Sequence, residues 1–328
     1  APTHPSRPGP AAQPSRLDHE IERLRQALRA GAEARLIAAK QALALASSYP
    51  LRRSRGARRT GVALSEEVAT EAPELAAVAQ QTAAWLHAEG DLMETSGEAT
   101  VRACRHFIEL ADQVTAHEPR LASLVHSGLA HALIQLATHF PAELGALDLD
   151  APTALEQALA LAEQAIAYAP QLPDGHTALG RLLLCHDDPQ AWTDAAEVLA
   201  HALALDPEHD PAEVALAVTL HAQGQTQEAR EHVEQVLRRG SGQAQPLLLR
   251  ALLALDSGHL DDARRDLTRA ARIAPRSGLV QLDLARAAEA AGDTRAARAH
   301  HERAKELLGA ASEAVRRALA GAKPSQSS

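Results

Sequence analysis

Residues 224–263 read GQTQEAREHVEQVLRRGSGQAQPLLLRALLALDSGHLDDA, and residues 258–297 read GHLDDARRDLTRAARIAPRSGLVQLDLARAAEAAGDTRAA. Laid over each other at a shift of 34 residues, glycine falls on glycine (Gly224, Gly258, Gly292) and alanine on alanine (Ala229, Ala263, Ala297). Ala195 extends the alanine column one step back, and Ala202, Val236, Ala270 and Ala304 form a second column with the same spacing. Self-similarity at such a period marks stacked supersecondary units, each too small to bury its apolar face alone. Within one period the apolar pattern is helical on both sides of a glycine turn, so each unit is a helix, a turn and a helix.

The whole composition fits that reading. Apolar residues make up 46% of the 328, yet aromatics are only 2%, and Ala and Leu supply most of the rest. Alanine loses least on entering a helix, whereas sheets favour β-branched and aromatic residues that are scarce here. Sustained alternation of strand length is missing, so the expectation is an almost wholly helical chain.

The repeats resemble the tetratricopeptide repeat (TPR) family. The first-helix signature W-x2-L-G-x2-Y corresponds to His176, Leu179, Gly180 and Leu183, and the second-helix A-x3-F with its closing proline to Ala195, Leu199 and Pro207. The aromatic positions hold His or Leu; the small positions, where two helices cross closely, are kept. The resemblance implies an all-α, right-handed α-solenoid. Residues 1–16 form a Pro-rich tail or tether and residues 17–170 degenerate TPR-like hairpins. Four regular repeats follow over 171–309, then a capping helix at 310–321 and a tail at 322–328. Closing prolines are expected at Pro170, Pro119 and Pro73, with insertions near 140–151 and 92–99, and capping boxes at Thr95 to Glu98 and Thr153 to Glu156.

Charge is unevenly distributed. The net value is −9, but residues 1–60 carry twelve Lys/Arg against four Asp/Glu, so the remaining body is strongly acidic. An acidic body argues against nucleic-acid binding, which needs a basic face to displace counterions. Five arginines, Arg52, Arg53, Arg55, Arg58 and Arg59, fall within eight residues and are read as a loop. That loop is either simply solvated or a contact for an anionic membrane or an acidic protein. No stretch approaches eighteen unbroken apolar residues.

Chemistry is sparse. Seventeen histidines are scattered without a metal-ligand spacing, and two cysteines, Cys104 and Cys185, stand far apart. No phosphate-cradling glycine loop or nucleophile motif is present. The reading is therefore no catalytic, cofactor or metal residues, and no enzyme.

By resemblance, the first helices line a concave groove. The positions flanking the small residue place Val214, Val218, Leu248, Leu252, Leu255 and Leu282 there, beside Arg181, His221, Asp256, Arg286 and Glu289. Several of these leucines could equally pack between repeats. The chain has no Asn, and no Lys between 41 and 304, so the Asn/Lys carboxylate clamp of some TPR domains is not expected; the groove should take an apolar or amphipathic protein segment. The leading reading is a non-enzymatic adaptor or scaffold for assembly of a bacterial cell-envelope complex, periplasmic or envelope-associated. The setting rests on the Pro-rich start and on Ala1 standing where a signal peptide or an initiator Met has been removed. A cytoplasmic TPR regulatory module and a metal-binding accessory subunit of an enzyme are the alternatives.

Overall fold

The computed structural model describes residues 51–71, 76–92, 96–114, 118–240 and 244–308. Among them are thirteen α-helices and no strand. They are α1 (Leu51–Glu71), α2 (Ala76–Leu92), α3 (Gly97–Ala111), α4 (Pro119–His139), α5 (Ala151–Tyr168), α6 (Pro173–Leu183) and α7 (Pro189–Leu205), then α8 (Asp210–Ala222), α9 (Thr226–Arg238), α10 (Gln245–Asp256), α11 (Leu260–Ile273), α12 (Gly278–Ala290) and α13 (Thr294–Leu308). The protein is an all-α solenoid. Each helix packs on the next, and α4, α6, α8, α10 and α12 also touch one another in succession. The first helices of the hairpins thus form one continuous layer and the second helices back it.

Small residues set the distance between the two layers. Gly180 is buried, Ala217, Ala251 and Ala285 are fully so, and they face second helices that bury Ala195, Ala229 and Ala263. A Cβ at Gly180 would lie 2.5 Å from Leu199 Cγ, so that crossing has no room for one more carbon. The turns repeat as faithfully. Gly224, Gly258 and Gly292 have φ of 81°, 76° and 74°, a left-handed conformation that side chains resist. After each, an N–H bonds back to a carbonyl five residues earlier: Gln225 to Leu220, His259 to Ala254, Asp293 to Ala288. This closure satisfies the free carbonyls of the helix end.

A third periodic feature is polar. His232, Asp266 and His300, again 34 residues apart, each reach from the second helix to the first, bonding Glu213 (3.3 Å), Arg250 and Gln281 (2.9 Å). Arg250 meets Asp266 through two bonds of 2.7 Å, the fork geometry that matches guanidinium to carboxylate. In the α8/α9 unit Arg239 adds bonds to Asp210 and Glu213. Burial pushes Asp210 up to about 6 against the pull of that guanidinium, whereas for Glu213 the bonds from His232 and Arg239 outweigh burial and keep its carboxyl low.

The unit before the regular repeats repeats their packing. Ala158, Ala162 and Ala165 of α5 are fully buried, 37 residues before Ala195, Leu199 and Ala202. The expected insertion at 140–151 is a 3-10 turn, Pro141–Leu147, held down by buried Phe140 and Leu144. Helix α4 is long and apolar enough to cross a membrane by length and composition, but most of it is buried inside the protein, as a core helix requires.

Four expectations change. The arginine segment is not a loop: Arg52, Arg53, Arg55, Arg58 and Arg59 lie in the first turns of α1, because arginine is a good helix former and no proline interrupts residues 51–71. Pro119 opens α4 rather than closing a unit, since its missing N–H costs nothing in a first turn. The cap of α3 is Ser96, which accepts from Ala99 N, while the expected Thr95 lies outside the described residues. Asp150, not Thr153, caps α5, because Pro152 is tolerated only inside the first turn and so sets the start upstream. The segments assigned to 1–16, 17–50, 310–321 and 322–328, and Pro73, lie outside the described residues.

Gly180→Ala should therefore cost about 1–3 kcal/mol of unfolding free energy, as overpacking does. Gly145→Ala, whose Cβ would meet nothing within 4 Å, should stay within about 0.5 kcal/mol. Urea denaturation of both variants checks the pair.

Candidate functional site: the inner helix layer and Arg181

The inner layer carries the residues expected to line a groove, at different depths. Val218, Leu248, Leu252 and Leu255 are half-buried, giving part of each side chain to apolar packing within and between hairpins and part to the surface. Val214 and Leu282 are only 2% and 4% exposed, so they are core and offer no surface. Polar residues occupy the remaining sites. His221 of α8 meets Asp256 of α10 at 3.3 Å, joining neighbouring first helices, and Arg286 lies 3.6 Å from Asp283 on α12. Glu289 is bonded by His301 of α13 at 2.8 Å.

Arg181 is the exception. It sits on α6, flanked by α4 and α8, and no described residue gives it an ion pair or a hydrogen bond. Its surroundings are not acidic. The α4 face i, i+4, i+8 carries His131, Gln135 and His139, and His209 caps α8. Burial lowers the pKa of His131, His139 and His209, the last to about 3, and the nearby Arg181 charge lowers each further. Burial also brings Arg181 down to about 10. These histidines are neutral at physiological pH, yet His131 Nε2, Gln135 Oε1 and His209 Nδ1 are buried without any hydrogen-bond partner. A buried polar atom left unpaired costs about 1–3 kcal/mol, so three around one unpaired guanidinium form a costly arrangement.

Burial raises the two thiols, Cys104 to about 12 and Cys185 to about 11, so neither is a thiolate nucleophile at neutral pH. Among the described residues no group of three or more His, Cys, Asp or Glu could hold a metal ion.

Residues 188–253 match the tetratricopeptide repeat family. The chain carries tetratricopeptide repeats. The matched TPR stretch runs from the start of α7 into α10 and so takes in the close crossing of α8 and α9 at Ala217. No curated protein sequence matches the chain. Among solved structures it is similar to a thermophilic TPR protein of Thermus thermophilus (19% identity, 59% of this chain and 91% of that one, TM-score 0.45). It is similar to PilF of Pseudomonas aeruginosa (17% identity, 74% and 97%, TM-score 0.44) and to PilW, a type IV pilus biogenesis factor (17%, 68% and 92%, TM-score 0.43). A TPR array is a protein-interaction scaffold.

The residues around Arg181 were not singled out from sequence, apart from Arg181 itself. The α4 members carry one signal, polar side chains four residues apart at 131, 135 and 139.

Asp283 gives a pH test of the inner layer. Burial raises its pKa to about 6 despite Arg286. A carboxyl raised on folding binds its proton more tightly in the native state, so the parent loses stability as pH rises from about 4 to about 6. Asp283→Asn should therefore be more stable than the parent by about 1–3 kcal/mol at pH 8, with the difference closing near pH 4. Chemical denaturation of both proteins at the two pH values checks it.

Proposed function

We propose that this TPR chain is a non-enzymatic adaptor that holds an amphipathic segment of a partner protein along its inner helix layer. The observation that carries the reading is the continuity of that layer. Val218, Leu252 and Arg286 succeed one another at 34 residues on α8, α10 and α12, so half-buried apolar surface and charge recur along a single track. An amphipathic segment laid there covers the apolar parts of Val218, Leu248, Leu252 and Leu255 and leaves its polar side toward the charged residues, the helix-in-groove mode of recognition. The setting proposed is assembly of a complex in the bacterial envelope; a cytoplasmic scaffold is the alternative, and fractionation of cells producing the native chain separates them.

A photo-reactive amino acid at position 252, or at exposed position 264 on the outer layer, tests the binding face in living cells. Partner adducts should form from position 252 and be lost when Leu248→Glu is added, provided circular dichroism shows that variant still folded. Adducts formed from position 264 alone would place binding on the outer layer and end the groove reading.

A further inference from the structure

Arg181 presents a problem that the fold does not solve. Nothing in the described chain neutralises it, and its neighbours cannot: histidines repel it when charged and contribute only dipoles when neutral. Arg181 is half-buried, so its charge is partly cut off from water and gains no protein partner in return. The groups around it share one property. Neutral imidazoles can turn either ring nitrogen into an N–H donor, so His131 Nε2 and His209 Nδ1, both close enough to feel the Arg181 charge, can each act as a donor, and the Gln135 amide can present its nitrogen when rotated. One cation ringed by idle donors describes a cradle for a single planar anion.

We propose that Arg181, with His131, Gln135 and His209, binds a carboxylate, and specifically the Asp or Glu side chain of a segment lying in the groove. The inference deepens the adaptor reading and rests on it for the source of the carboxylate. The charge count favours this class: one guanidinium matches one negative charge, whereas a phosphate dianion would leave an excess charge. The position favours a side chain over a chain end. Arg181 stands on α6, with inner-layer helices on both sides of it, so a segment running along the layer passes the site and continues. Guanidinium and carboxylate match in fork geometry, and the imidazole N–H groups then complete the remaining oxygen lone pairs.

The test uses the full chain and small probes, so it does not depend on whether a groove partner exists. Histidine ring signals are recorded by NMR, with the His209 signal assigned from His209→Gln, while N-acetylglutamate amide, N-acetylleucine, N-acetylglutamine amide and inorganic phosphate are titrated at constant ionic strength. The expected result is a saturating shift of the His209 signal with N-acetylglutamate amide in about the millimolar range. N-acetylleucine should bind several-fold more weakly and N-acetylglutamine amide should give no shift. Arg181→Met, which keeps the apolar stem, should abolish the response while melting no lower than the parent at low salt, because it removes an uncompensated charge. Tighter binding of N-acetylleucine would move the site to chain-terminal carboxylates, and tighter binding of phosphate would overturn the ligand class. A shift that survives in Arg181→Met, no saturating shift with any carboxylate, or a melting temperature lowered by about 4 °C or more in Arg181→Met would each overturn the proposal, the last by showing that Arg181 supports the fold.

Discussion

Close approach of paired helices at alanine or glycine is the constraint on which the rest of this molecule depends. Where Gly180 faces Leu199 and where Ala217, Ala251 and Ala285 lie under their second helices, the backbones come together only because no larger side chain separates them. The close crossing lets each hairpin bury its own seam, and the left-handed glycines then return the chain at a fixed angle. Since every unit uses the same crossing and turn, successive first helices fall side by side. The inner layer follows from local geometry repeated, with no long-range pairing required.

With so few aromatic residues, the array lacks the large interlocking side chains that usually fill the signature positions. Polar ties take part of that role. His232 with Glu213, Arg250 with Asp266 and His300 with Gln281 connect the same two levels of three successive hairpins. His176, in a position where the family motif has Trp, bonds the Pro170 carbonyl at 3.0 Å. Partly buried pairs of this kind give orientation more dependably than stability, since desolvation offsets part of their attraction. The unit register is thus set twice, by apolar steric fit and by polar matching.

Much of this was legible in the sequence because it recurs. The 34-residue columns of Gly224, Gly258, Gly292 and of Ala229, Ala263, Ala297 announced the hairpins, and the Pro, Gly and Asp turns marked their ends. Depth was not legible. Val214 and Leu282 occupy the same place in their repeats as Leu248, yet they are buried and Leu248 is only half so, a difference the 34-residue spacing does not carry. Local charge also misled: five arginines suggested a loop, although arginine favours a helix when nothing breaks the backbone. The cluster around Arg181 was invisible because its members come from 131, 135, 181 and 209, and only stacking of α4, α6 and α8 brings them together.

Amide hydrogen exchange followed by mass spectrometry on Ala251→Leu tests the central claim most directly, because it reports which helices loosen when one crossing is forced apart. If each unit depends on its own crossing and its neighbours, protection should fall by about tenfold or more across α8 to α13, where overpacking costs about 1–3 kcal/mol, while α1 to α5 keep the parent's rates. Protection unchanged in α10 and α11, or lost equally from α1 to α13, would contradict it.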